Sequence, residues 1–187
     1  AICGSARTSP HNKVFLEGVR ATLTADPAWH EGGFTARPVR GLRAMGRLYA
    51  GWAMSQAFYR EGKHLELGFA SLEDYLVRAW EANFLRRNGD DLLSMLATWY
   101  HSDISNNEIF DDDLTTALGA IKPRAMIMPS RTDLYFTPED AEAECKQMPN
   151  AEFRPIESIW GHRAGNPIDN EADETFLRQA VTELLGA

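Results

Sequence analysis

Two side chains carry the most readable chemistry in this sequence, an aspartate and a later histidine, each placed just beyond a short apolar run. Asp133 lies in Arg131-Thr132-Asp133-Leu134-Tyr135-Phe136-Thr137-Pro138, and His162 in Trp160-Gly161-His162-Arg163. The runs before them, Ala125-Met126-Ile127-Met128 and Phe153-Arg154-Pro155-Ile156, have strand character, so both side chains are expected in loops at strand ends. In an open parallel α/β sheet that edge is where ligands bind. A histidine that takes a proton from a hydroxyl and returns it to a leaving group, with a carboxylate fixing its tautomer, makes two parts of a Ser-His-Asp set. The third part is missing, because no G-x-S-x-G elbow occurs in the chain. The expectation is that Ala1 is not the natural start and that the nucleophile and the oxyanion-hole N–H groups lie upstream. Taken singly, an Asp before a Pro is a turn or cap residue and a Gly-His pair is structural. The two in this order, each after its own strand, point to catalysis.

Composition narrows the partners. With 187 residues, 44% hydrophobic and 25% charged, the chain can bury a real core. A net charge of -8 argues against nucleic acid and anionic membranes, leaving a small molecule as the default partner, which the acid and base loops narrow to an ester or alcohol. Cys3 and Cys145 sit at no metal-ligand spacing and are expected to be packed thiols. His11, His30, His64 and His101 show no paired metal spacing, and the acidic run from Glu108 to Asp113 lacks the pattern of a calcium loop, so no metal is expected. No apolar run approaches the roughly 18 residues of a membrane span, and the first residues carry no secretory pattern. Together with the low cysteine count, this sets a cytoplasmic expectation.

The elements that must position the pair follow from periodicity. Residues 1–4 read as the end of a buried strand, and Pro10 opens a helix through Val14, Phe15, Val19 and Leu23 that Asp26-Pro27 stops. Helical patterns over 42–60, 71–87 and 90–103 follow with no strand between them, the second capped by Ser71. Trp52, Trp80, Trp99 and Tyr100 fall on their apolar faces as packing residues. Alternation begins after Asp113: a short helix over 114–121, a strand at 125–129, a Thr137-capped helix over 138–147, a strand at 152–157 and a final helix over 171–185. The expected organisation is therefore 1–30 as strand end and helix, 31–112 as a helical cap, and 113–187 as an α/β portion bearing the acid and base loops. Two strands and a stub make no stable doubly wound sheet, so the remaining strands are expected from an N-terminal half of the same protein.

The stretch 133–138, the Gly161-His162 pair and the opening Cys3-Gly4-Ser5-Ala6-Arg7-Thr8-Ser9-Pro10-His11-Asn12 resemble the homoserine O-acetyltransferase branch of the α/β-hydrolase superfamily. The likeness covers essentially the whole chain. It implies an α/β-hydrolase fold, seen as the C-terminal portion of the parallel sheet plus a helical lid that shapes a tunnel to the nucleophile. It also implies ping-pong acyl transfer with acetyl-CoA as co-substrate and no bound cofactor, His162 as general base and Asp133 as its orienting acid. Two departures bear on the acceptor. The homoserine enzymes follow the Gly-His with an Asp that meets the substrate amine, whereas Arg163 stands here, and a guanidinium repels an ammonium group. The ordinary alternative for Arg163 is a surface ion pair. Arginines at 43 and 47 flank the place of the family's carboxylate-gripping Arg, and Arg47 is carried as the candidate. Arg7 and Asn12, near the expected ligand edge, and Tyr135, beside the acid, complete the substrate-binding candidates, with turn and cap roles as the alternative for the first two. The reading is acyl transfer or ester hydrolysis with an acceptor other than homoserine. The alternatives are a carboxylesterase using water, or a non-catalytic fragment that dimerises through its lid helices.

Overall fold

A computed structural model describes residues 1–186. In chain order the elements are α1 (Pro10–Thr24), β1 (Trp29–His30), β2 (Gly33–Phe34), α2 (Val39–Ala53), α3 (Gln56–Arg60), α4 (Lys63–Glu66), α5 (Leu72–Tyr75), a π-turn (Leu76–Glu81), α6 (Ala82–Phe84), α7 (Gly89–Tyr100), α8 (Leu114–Gly119), β3 (Ala125–Ile127), α9 (Pro138–Cys145), β4 (Ala151–Phe153), a 3-10 turn (Gly161–Gly165) and α10 (Glu171–Leu185). They fall into two compact units. One holds residues 1–7, 53–61 and 103–186; the other holds Thr8–Trp52 and Gly62–Ser102. The helix α1 therefore groups with the other helices, and the strand-end residues with the α/β portion.

The first unit is built on parallel pairing. β3 runs beside β4 with Met126 opposite Glu152, and the pairing extends past both strands through a Ser130–Ile156 bridge. On the other side of β3, Ile2 bridges Met128, the Cys3 N–H donating to Met128 O at 3.0 Å and the Met128 N–H to Ala1 O at 2.8 Å. Regular ladders are shorter than the apolar runs because Pro129 has no N–H to give. Side chains alternate between faces. Met126 and Met128 join Cys3, Ile156, Ala164, Leu177 and Ala180 on the α10 side, while Ile127 packs with Ala141 and Cys145 of α9. Both faces are thus covered by helices, which explains why the strand reads as a continuous apolar run.

The second unit is a helical packing around Leu16, Val19, Leu23, Leu42, Met45, Leu92 and Leu96, with Trp52 stacked between Phe15 and Trp99. Ser9 caps α1 by accepting the Asn12 N–H, with Pro10 in its first turn. Two local features escape the periodicity. The chain between α1 and α2 forms a short antiparallel hairpin whose turn residues, Glu31 and Gly32, hold φ of 48° and 90°, the positive pair that tight hairpins use. The 71–87 segment, begun by Ser71 as expected, contains the π-turn over Leu76–Glu81. There the chain runs so close to α2 that a Cβ on Gly46 would lie 2.9 Å from Trp80 O. The 42–60 pattern is also two helices, because Ser55 caps α3 and interrupts the run. Among the described residues no helix is long and apolar enough to cross a membrane.

Candidate active site

Asp133 and His162 meet in the first unit, with Asp133 Oδ2 at 3.0 Å from His162 Nδ1. Asp133 is 2% exposed. Its loop leaves the sheet after Ser130 and turns sharply, the Asp133 N–H donating to Ser130 O at 3.1 Å. Oδ1 then accepts the N–H groups of Tyr135 at 2.7 Å and Phe136 at 3.3 Å, an Asx-type arrangement that holds the carboxylate in one orientation. Downstream, Thr137 caps α9 and Pro138 starts it, so the loop is anchored at both ends.

His162 is placed by Gly161, whose φ of 60° is the left-handed value that favours glycine. A Cβ there would lie 2.7 Å from Ala53 O and 2.9 Å from Ser55 N, so the backbone packs directly on the link between α2 and α3. The Ser55 hydroxyl fastens that link by donating to Ile159 O while accepting the Phe58 N–H. Thr132 joins the two loops: its hydroxyl donates to Ser158 O at 2.9 Å and accepts the Gly161 N–H at 3.1 Å. Ser158 in turn donates to Asp173 of α10 at 2.6 Å and accepts the Trp160 N–H. Burial raises the Asp173 carboxyl above its ordinary range, against the hydrogen bond from Ser158.

The imidazole sits against aromatic faces, stacked on Tyr135 with ring centroids 4.2 Å apart and tilted on Phe136 at 5.6 Å. Since a carboxylate is an acceptor only, the contact puts the proton of a neutral His162 on Nδ1 and leaves Nε2 as the basic atom. No hydroxyl among the described residues is hydrogen-bonded to His162. The donor atoms of Cys3, Asp133 and His162 lie within 4.8 Å of one another, the one such cluster among the described residues. Burial, and then the Asp133 charge, push the Cys3 thiol up to about 12, so it keeps its proton. That is the opposite of what a nucleophilic cysteine or a ready metal ligand requires.

Of the other candidates, Tyr135 touches His162 by its ring, and Arg163 follows it in the 3-10 turn, half-buried and without a carboxylate partner among the described residues. Arg7 is engaged elsewhere in the same unit, with Asp103, with Ser105 Oγ at 2.8 Å and with Asp112 O at 2.8 Å. Asn12 and Arg47 belong to the helical unit. Asn12 is buried in α1 with its Oδ1 lacking a partner, and Arg47 is paired with Glu73 and Glu81. Sequence reading missed Thr132 and Cys3. Thr132 had a signal in its place beside Asp133; Cys3 had none, because its contact spans the sheet.

A loop-borne acid and histidine beside parallel strands, covered by helices on both faces, is the arrangement of an α/β-fold enzyme of the hydrolase type. The chain belongs to the α/β-hydrolase superfamily, in the branch that joins acetyl esterases to homoserine acyltransferases. It is 35% identical over 164 residues to an ethyl acetate hydrolase from Pseudomonas veronii, an alignment covering 87% of this chain and 46% of that protein. The solved structure of the acetyl esterase MekB superposes with a TM-score of 0.94 at 33% identity, covering 100% of this chain and 54% of that one. A homoserine O-succinyltransferase from Hydrogenovibrio crunogenus is 27% identical over 180 residues, 87% of this chain and 47% of that protein. The likeness to the esterases is therefore stronger than the likeness to the homoserine enzymes. The chain spans about half the length of these relatives. No family model matches it.

Proposed function

We propose that a longer protein containing this chain hydrolyses small acetyl esters, with His162 as general base, Asp133 as its orienting acid and water as the final acceptor. The observation that carries this is the 3.0 Å contact between Asp133 Oδ2 and His162 Nδ1, with the carboxylate braced from behind by two backbone N–H groups. Its support from relatives is the likeness to the Pseudomonas veronii ethyl acetate hydrolase and to MekB. On this reading the strand-bearing unit is the C-terminal portion of a hydrolase sheet and the helical unit is its lid. The nucleophilic serine and the oxyanion-hole donors are then supplied by residues outside this sequence. Serine attack on the ester carbonyl passes the hydroxyl proton to His162 Nε2; collapse of the tetrahedral adduct returns it to the departing alcohol. Water repeats the sequence on the acetyl-enzyme and releases acetate. Arg163, with no carboxylate partner among the described residues, favours neutral or anionic alcohol portions over ammonium-bearing ones.

Transfer to an alcohol is the second reading, favoured by the likeness to the homoserine succinyltransferase. The test uses the full-length protein and p-nitrophenyl acetate, with and without added alcohols, homoserine among them. Hydrolysis predicts one acetate released per nitrophenol and no acetylated alcohol. Acetyl groups recovered on homoserine, with turnover rising as it is added, would replace hydrolysis by transfer.

A further inference from the structure

Cys3 is held in a costly conformation beside the catalytic pair. Its φ of 43° lies in the left-handed region that residues with side chains rarely adopt, and such strain gathers where a side chain must be aimed. Strand pairing fixes the backbone there, through the Cys3 N–H donated to Met128 O. The thiol is only 7% exposed, and its Sγ lies within 4.8 Å of a carboxylate oxygen of Asp133 and a ring nitrogen of His162. The turn that bears His162 leaves room for it: a Cβ on Gly165 would lie 2.6 Å from Cys3 Sγ. The thiol therefore stands beside the carboxylate that is itself 3.0 Å from His162 Nδ1.

We propose that Cys3 is a positioning residue, whose thiol donates to Asp133 and sets how that carboxylate faces His162. The inference rests on the catalytic reading of the Asp133–His162 pair. The charged and titratable groups facing the thiol are Asp133 from the loop after β3, Asp173 from α10 and His162 from the 3-10 turn. Because burial and the Asp133 charge hold the thiol up to about 12, it stays a donor throughout the range in which a histidine titrates. A thiol is a weak donor, so its loss costs a modest factor rather than the activity. Without it the carboxylate carries more unshared charge, holds an imidazolium more strongly, and raises the histidine's apparent pKa.

The experiment compares wild type, Cys3→Ala and Cys3→Ser of the full-length protein on p-nitrophenyl acetate across pH, together with the infrared S–H stretch. The alanine variant is expected to lose about three- to tenfold in kcat with KM nearly unchanged, and its acid limb to move to higher pH. Serine, which restores a donor, is expected to bring the limb back. The S–H band of wild type that disappears in Cys3→Ser should lie at lower frequency than that of Cys145, as for a thiol bonded to a carboxylate. An unmoved acid limb in a folded alanine variant, or a Cys3 band at the frequency of Cys145, overturns the proposal. Loss of turnover beyond about a thousandfold in both variants also overturns it, by making Cys3 the nucleophile. Should wild type itself fail to turn over esters, the esterase reading falls, and the infrared band alone decides the thiol contact.

Discussion

Asp133 and Glu81 are equally buried, each 2% exposed, yet they are neutralised in different ways. Glu81 closes the π-turn between two guanidiniums of α2, Arg43 Nε at 2.5 Å and Arg47 Nε, and Arg47 also reaches Glu73. Donating to Glu73 first and then to Glu81 raises the Arg47 guanidinium above its ordinary value. Arginine does not titrate in the working range of a protein, so Glu81 sits in a field that no protonation changes. Asp133 has two backbone N–H groups and one imidazole, with the Cys3 thiol beside it. Equal burial thus comes with unlike partners, guanidiniums at Glu81 and backbone amides with an imidazole at Asp133.

The comparison can be broken at four points. Asp133→Asn in the full-length protein should lower kcat by about 10³–10⁴ with the fold kept, because the amide favours the wrong tautomer of His162. Steady-state kinetics alongside circular dichroism checks this, and a loss below tenfold would place Asp133 with Glu81 as a packing group. Gly161→Ala forces a left-handed alanine against Ala53 O and should destabilise by about 1–3 kcal/mol while lowering kcat, since it shifts the turn that carries His162. Urea unfolding that shows wild-type stability would mean the turn is free to move. Glu81→Gln is expected to cost about 1–3 kcal/mol in the same assay and to leave kcat within about twofold. A large kcat loss in a stable variant would give the π-turn a role in turnover.

The smallest effect belongs to an exposed carboxylate. Hydrogen bonds from Arg154, and then from Arg124, lower the Glu183 carboxyl to about 2, below the roughly 4.3 of an unfolded chain. Its contribution to stability is therefore full above the unfolded value and lost as pH falls from there toward about 2. Glu183→Gln should flatten that part of the stability profile without touching kcat. Identical acid unfolding of variant and wild type would show that solvent screening leaves this pair without effect.

Much of the first unit was legible in the sequence because its signals are local. Apolar runs mark β3 and its neighbour, and Thr137-Pro138 marks the start of α9. The Asp-then-His order singled out the two loops that the structure brings together. The remainder depends on contacts through space. Glu81 could not be read as the partner of Arg43 and Arg47, since nothing in the run from Leu76 to Glu81 announces a π-turn; Gly46 approaching Trp80 does. Arg47, read from its resemblance as a substrate residue, is placed against Glu73 and Glu81. Cys3 looked like an ordinary packed thiol until its left-handed backbone and its approach to Asp133 were visible.

The most direct test of the account is the kcat of His162→Ala against wild type, in the full-length protein on p-nitrophenyl acetate, with intact mass recorded during turnover. The account predicts that wild type passes through a singly acetylated species and that the variant loses at least about a thousandfold in kcat. Turnover within tenfold of wild type in the variant would remove His162 from the chemistry and leave the pair a structural contact.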